Sequence, residues 1–463
     1  MMRIIVLGAG QVGRSLVEQL VGEKNHITVV DRDAGRLQLL QELYGAQGVQ
    51  TICAHGAHPV TLSKAGAEDA DMLVAVTNSD EVNMIACQVA QSLFNVPNKI
   101  ARVREQGYLT QNRALFAKSA VPVDVLINPE ALVTQHLKKL IRYPGALQVI
   151  NFADGLAQLV AVRASNGGAL VGQRIATLRE RLPAVEIRVA AIFRRNHSVI
   201  PDGDTLIQDG DEVFFVAARP DIRLVLNELR RRAKPYKRIV IAGGGNIGAR
   251  LASVLENDYR VKVIEQDMAR CQFLSQYLRR ATVLNGSASD RELLLEESIE
   301  SADVYLALTN DDEANIMSSM LAKRMGARTV ITLISNPAYA DLVQGGSIDI
   351  AISPQQATIG ALLTHVRRGD VVAVHSLRRG TAEAMEAVAH GDPQSSQVVG
   401  KRIDELPLPP GAMVGAVVRG EDVIIAHDST QIEEGDHVIV LVPDKRDMQA
   451  VERLFQVGLT FLL

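Results

Sequence analysis

Tryptophan is absent from the 463 residues, aromatic side chains make up only 4%, and cysteine occurs three times, at Cys53, Cys87 and Cys271. No two of the cysteines form a C-x-x-C pair, so neither a disulfide framework nor a sequence-local zinc knuckle is expected, and the usage fits a reducing compartment. No apolar run approaches the roughly 20 residues needed to span a bilayer. The N-terminus enters a strand-like run with no signal-peptide layout, and the terminal VGLTFLL is expected to pack as a helix end; the expectation is a cytoplasmic protein. A formal charge of −4 gives no general attraction to nucleic acid. There is no H-E-x-x-H, no Walker A lysine and no nucleophile elbow, and the histidines are scattered. His55 and His58 lack companions at zinc spacing, so neither a metal site nor a catalytic residue is expected. What remains is a core of Val, Ile, Leu and Ala, with 47% apolar residues in total, suited to parallel strands covered on both faces.

Within that composition one fingerprint occurs twice. Residues 3–16 read RIIVLGAGQVGRSL and residues 238–251 read RIVIAGGGNIGARL: an apolar strand, then G-x-G-x-x-G, then a helix start. An acidic residue ends the next apolar run in each copy, Asp31 after ITVV and Glu265 after VKVI. Two such patterns in register point to two dinucleotide-type sites. Gly8 and Gly243 permit the tight turn, Gly10 and Gly245 let a pyrophosphate approach the main chain, and Gly13 and Gly248 let helix and strand pack closely. The loops Gly8-Ala9-Gly10-Gln11-Val12-Gly13 and Gly243-Gly244-Gly245-Asn246-Ile247-Gly248 would present backbone N–H groups to phosphate at a helix N-terminus. Asp31 and Glu265 would accept from a ribose 2′-hydroxyl and repel a 2′-phosphate. This favours NAD(H) or another adenosine nucleotide over NADP(H).

The repeat extends further. DADMLVAVTNSDEVNM from Asp69 aligns with SADVYLALTNDDEANI from Ser301, placing Thr77 and Asn78 opposite Thr309 and Asn310. This pair at a strand end could meet a nucleotide, or Asn310 or Asp312 could cap the following helix. Arg102 in KIARVR could engage a phosphate or stack on a base, whereas the second copy is expected to carry Thr332 there. The sites should therefore differ in ligand or affinity.

Short strand-like runs with D-G-D and E-G-D turns follow each copy, and Gly172 before Ile175 pairs with Gly400 before Ile403. Residues 382–397, AEAMEAVAHGDPQSSQ, are expected to form a helix and a loop. The basic run at 230–237 is expected to be a solvated helix end broken at Pro235. The fold class is α/β: two Rossmann-like doubly wound parallel-sheet subdomains, 1–125 and 236–354, each followed by a small α+β subdomain, 143–227 and 370–455.

The order of LGAGQVG, VVD, AVTNSDEVNM and ARVR, with a GGGNIG copy, resembles the tandem RCK (regulator of potassium conductance) proteins of the TrkA family over essentially the whole chain. The resemblance implies a homo-oligomeric ring, dimer to tetramer, peripheral to the inner face of the membrane. It would lie beneath an integral membrane potassium transporter subunit (TrkH/TrkG-like), with NAD(H) and ATP or ADP as effectors. It also implies that the first site comprises Gly8–Val12, Asp31, Thr77, Asn78 and Arg102, and the second Gly243–Ile247, Glu265, Thr309 and Asn310. Against this stand an NAD-dependent oxidoreductase, for which the small subdomains are too short to be a substrate domain, and a scaffold with vestigial glycine turns, which stays open for the second site.

Overall fold

The computed structural model describes residues 2–21, 25–117, 119–195, 197–230, 234–343, 348–366, 371–377 and 382–456. The terminal VGLTFLL and residues 231–233 of the basic run lie outside them. The chain divides into two compact units, Met1–Leu132 with Pro354–Arg367, and Val133–Ser353 with Arg368–Leu463.

The first unit is built on strands β1 (Arg3–Leu7), β2 (His26–Asp31), β3 (Val49–Cys53), β4 (Met72–Ala75), β5 (Asn98–Arg102) and β6 (Val125–Ile127), all parallel in the order β3-β2-β1-β4-β5-β6. Apolar residues occupy both parities of each central strand because both faces are covered. Ile4 and Val6 join Leu16 and Leu20 on one side, while Ile5 and Leu7 join Ala86 and Cys87 on the other. Burial leaves the Cys87 thiol pushed up to about 12, an inert packing group. The helix Pro354–Val366 joins this unit from far along the chain. It packs on the helix Gln11–Val21 and on β6, adding Leu362, Leu363 and Val366 to the first core.

The second unit holds three sheets. The first is antiparallel, with β7 (Ala146–Phe152), β8 (Ala157–Arg163), β9 (Ile187–Arg194), β10 (His197–Val199) and β11 (Glu212–Ala218) in the order β10-β9-β11-β8-β7. The second is parallel and repeats the first unit: β12 (Arg238–Ala242), β13 (Arg260–Glu265), β14 (Thr282–Asn285), β15 (Val304–Ala307), β16 (Thr329–Leu333) and β17 (Ile350–Ile352), in the order β14-β13-β12-β15-β16-β17. The third is antiparallel, with β18 (Val371–Leu377), β19 (Ala382–Val388), β20 (Met413–Arg419), β21 (Asp422–Ile425) and β22 (His437–Val442) in the order β18-β19-β22-β20-β21.

The two antiparallel sheets share one core, in which Phe152, Phe214 and Val216 meet Ala384, Val418 and Leu441. The D-G-D and E-G-D turns place equivalent aspartates beneath equivalent arginines: Asp211 takes two bonds of 2.9 Å from Arg194, and Asp436 takes bonds of 2.9 and 2.8 Å from Arg419.

One expectation is overturned here. Residues 382–388 form the strand β19 and not a helix. Alanine, methionine and glutamate favour a helix locally, but β19 lies between β18 and β22 and is covered on both sides. Ala382 and Ala384 face the shared core, while Met385 and Ala387 face the outer one. Glu386 is buried yet satisfied, with His437 Nδ1 at 2.6 Å from one oxygen and the Ala153 N–H donating to the other at 3.0 Å.

Candidate functional site

In an open parallel sheet the crevice forms beyond the carboxyl ends of the strands where the order reverses, here between β1 and β4 in the first copy and between β12 and β15 in the second. Gly8 turns the chain with φ +107°, and its N–H donates to the Val30 carbonyl at 2.8 Å. A Cβ on Gly13 would lie 1.8 Å from the Gly8 carbonyl oxygen, so this glycine is demanded by packing. Gly10 is different. A Cβ there would meet only Arg36 Nη1, at 3.9 Å, so no protein atom explains the glycine and the space is open to a ligand.

Ala9 donates its N–H to Asp31 Oδ2 at 2.6 Å, and Asp33 donates to Oδ1 at 2.9 Å. The acid is thus fixed against the loop and retains lone pairs for further donors. Val12 is buried in the core, so only its backbone is available to a ligand, whereas Gln11 is exposed.

The T-N-x-D-E-x-N segment works mainly through residues other than its Thr-Asn pair. Asn83 is fully buried, accepts from the Thr77 N–H and hydroxyl at 3.0 and 2.7 Å, and donates to the Thr77 and Arg102 carbonyls at 3.3 and 2.9 Å. It ties the ends of β4 and β5 to the helix Asp80–Phe94. Asp80 accepts from the backbone of Arg104 and Glu105, both at 2.8 Å, fixing the loop after β5. The helix cap is Ser79, and in the second copy Asp311, whose carboxylate accepts from the Ala314 N–H at 2.8 Å. The cap is therefore neither Asn310, which lies outside the helix, nor Asp312, which accepts instead from Ser335 and Asn336. Asn78 and Asn310 are both exposed beside their crevices.

Arg102 ends β5, and its Nη2 donates to the Thr77 carbonyl. Its Nε is buried and has no partner among the described residues. Burial and the nearby Arg104 cation lower its pKa, with Glu130 and Asp80 opposing. A desolvated guanidinium with a donor to spare fits an anionic or hydrogen-bonding ligand.

The second crevice repeats the frame and changes the chemistry. Gly243 turns with φ +103°, a Cβ on Gly248 would lie 1.9 Å from the Gly243 oxygen, and Gly245 faces open space. Glu265 accepts from the Gly244 N–H at 2.8 Å. Thr309 is clamped by Asn315, with bonds of 2.9 Å from its N–H and 2.7 Å from its hydroxyl. Strand pairing corrects one alignment. Ala75 pairs with Ala101 while Ala307 pairs with Thr332, so Thr332 matches Ala101 and the counterpart of Arg102 is Leu333. Asn315 donates to the Leu333 carbonyl as Asn83 does to Arg102, in agreement. Thr332 is buried and bonded to Ser319 at 2.7 Å, so it offers nothing to a ligand.

Two arginines not singled out by the sequence pattern overhang the glycine loops. Arg270 Nε donates to the Gly244 carbonyl at 2.8 Å and its guanidinium lies 4.7 Å from the Phe273 ring centre; Arg36 pairs with Asp33 at 3.2 Å beside Gly10. They stand five residues after Asp31 and Glu265, a spacing the internal repeat displays.

The TrkA-N domain profile matches residues 4–129 and 239–354, and the TrkA-C domain profile matches 159–230 and 392–456. The chain belongs to the TrkA family. A Trk system potassium uptake protein TrkA of Halomonas elongata is 62% identical over 460 residues, spanning 99% of this chain and 100% of that protein. That of Vibrio alginolyticus is 58% identical over 461 residues, with both chains covered at 100%. Among solved structures, the GsuK RCK domain superposes with a TM-score of 0.61 at 17% identity, covering 98% of this chain and 95% of that one. The GsuK channel bound to NAD gives 0.60 at 17%, covering 98% and 78%. The TrkA-family chain thus has the tandem RCK fold. Among its described residues no helix is long and apolar enough to cross a membrane, and no group of three or more His, Cys, Asp or Glu side chains is placed to hold a metal ion.

Proposed function

We propose that this chain is the nucleotide-sensing regulatory subunit of a potassium uptake system, and not an enzyme. Its four working parts would be 1–125, 143–227, 236–354 and 370–455. It would act as a homo-oligomer on the inner face of the cell membrane, against an integral membrane potassium transporter subunit of the TrkH/TrkG kind. The observation that carries the reading is the first crevice. A Cβ on Gly10 would touch only the end of Arg36, Asp31 is fixed where it could accept from a ribose, and the buried Arg102 Nε has no partner among the described residues. That set fits NAD(H), with ATP or ADP as alternative or additional ligands. The GsuK channel, of the same fold, supports it by having been observed with NAD.

When bound, the nucleotide supplies phosphate charge and a ribose. The Gly8–Val12 backbone and the helix N-terminus would hold the phosphate, Asp31 would hold the ribose, and Arg102, Thr77 and Asn78 would border the remainder. Because Arg102 also bonds the Thr77 carbonyl, a ligand that engages it is coupled to the ends of β4 and β5. A nucleotide shifts the assembly only through unequal affinity for two conformations. Ligands that differ in terminal phosphate or nicotinamide charge would differ at Arg102. In the second crevice, Gly243–Ile247, Glu265, Thr309 and Asn310 would form a weaker or different site, because Leu333 replaces the arginine and Arg270 covers the loop carbonyl. The test is potassium uptake by a strain lacking its own subunit, complemented with wild type or Arg102→Gln. The reading expects nucleotide-dependent uptake in the first and nucleotide-insensitive uptake in the second. Equal responses would refute it.

A further inference from the structure

A cavity of about 880 Å3 opens at the amino-terminal edge of the second parallel sheet, the end away from Gly243–Gly248 and Glu265. Lys237, Arg238, Arg260, Lys262 and Arg280 line it, together with the acids Glu256, Asp258 and Glu297. Two of the three acids are already engaged. Burial raises the pKa of Glu256, but backbone N–H groups of Arg279, Arg280 and Ala281, donating at 2.9, 2.8 and 3.1 Å, outweigh it and hold the carboxylate ionised. Glu297 pairs with Lys262 at 2.7 Å. Lys237, Arg238, Arg260 and Arg280 are exposed and have no ion pair among the described residues, so four cations face two carboxylates, the ionised Glu256 and Asp258, and the lining keeps an excess of positive charge.

The first copy supplies an internal control on the same backbone. Strand pairing places Met2, Arg3, His26, Thr28 and Gly48 at the positions of Lys237, Arg238, Arg260, Lys262 and Arg280. The one invariable cation there, Arg3, is neutralised by Asp69. At the position of Asp69 the second copy has Ser301, itself part of the cavity lining. The fold therefore does not require this charge, and the acid that balances it in one copy is a hydroxyl in the other. Like charges gathered on a concave face raise its potential and attract a counter-anion. Guanidinium forks bind phosphate oxygens in pairs, with Ser and Thr hydroxyls as further donors. The volume lies within the range of ligand pockets, roughly 300–1,000 Å3. Lys237 is also the last residue of the basic run 230–237, which the nucleotide sites leave unexplained.

We propose that this cavity is an anion site peculiar to the second copy, separate from both glycine-loop crevices. It would take a ligand bearing two or more phosphate groups, either a soluble oligophosphate or a phosphorylated lipid headgroup. The test uses the full chain, the Arg260→Gln/Arg280→Gln double variant and, as a control at the neutral edge, Arg3→Gln. Inorganic triphosphate is titrated calorimetrically, and vesicles of phosphatidylcholine with or without cardiolipin are sedimented with protein. Thermal melts verify that the three proteins are folded. The expected result is a loss of about tenfold or more in affinity for at least one probe in the double variant, with Arg3→Gln unchanged. Loss for triphosphate identifies a soluble ligand, and loss for cardiolipin vesicles alone identifies a headgroup. Absence of binding to both probes, or equal binding by all three proteins, would overturn the proposal.

Discussion

Three glycines of one loop have separable duties. A Cβ on Gly13 would collide with the Gly8 oxygen at 1.8 Å, so Gly13→Ala is expected to cost about 1–3 kcal/mol by overpacking and to lower the melting temperature. Gly10→Ala meets open space, so its melt should match wild type while nucleotide affinity drops; a lowered melt would show that the loop is held by contacts other than those described. Asn83 bonds Thr77 three ways and also the Arg102 carbonyl. Asn83→Ala is therefore expected to cost about 1–3 kcal/mol in denaturant unfolding. It should weaken nucleotide binding too, because it frees the strand end that carries Arg102. The glycine turns and the acids fixed against them were legible in the sequence because a tight strand-to-helix turn leaves few residue choices. Arg36 and Arg270 show in the sequence only as matched positions of the repeat, and the clamping role of Asn83 does not show at all, since a hydrogen bond between elements has no local signature. The match of Leu333 to Arg102 needed strand register, because the segment between the T-N motif and this strand differs in sequence between copies.

At the scale of elements, sequence period and final position part company where a segment is buried on both sides. The parallel strands were readable as apolar runs. β19 was not, because Ala, Glu and Met carry helix propensity and only the flanking β18 and β22 select the strand. The helix Pro354–Val366 shows a second limit: its sequence does not say that it completes the core of the first unit. Leu362 is fully buried there, so Leu362→Ala is expected to cost about 2–5 kcal/mol, read as faster hydrogen exchange in β1, β6 and the helix Gln11–Val21. Histidines in the second unit add a pH dependence. Burial pushes His136 and His375 down to about 4, with Lys139 adding repulsion to both. Their folded values lie below the unfolded 6.5, so their stabilisation is complete above that pH and is lost as pH falls toward 4. Allowing for partial contact with solvent, the loss is on the order of 1–2 kcal/mol per histidine. Denaturant unfolding between these pH values should be flatter for His136→Gln/His375→Asn than for wild type; parallel curves would refute the assignment.

The whole molecule repeats one two-part unit and then lets the copies diverge. The first keeps an arginine in its glycine-loop crevice and a neutral opposite edge. The second puts Leu333 in the crevice and gathers cations at the far edge. A duplicated frame with unequal chemistry suits a regulator that reads more than one signal. On the proposal made above, the first crevice is the principal nucleotide site. The most direct measurement is calorimetric titration of the full chain with NADH, NAD⁺, ATP and ADP, repeated on Arg102→Gln and Leu333→Arg. The account predicts saturable binding that Arg102→Gln weakens about tenfold or more, by loss of a charged, desolvated hydrogen-bond donor, and that Leu333→Arg leaves intact at the first site. Binding unchanged by Arg102→Gln, or no binding of any of the four nucleotides, would contradict it.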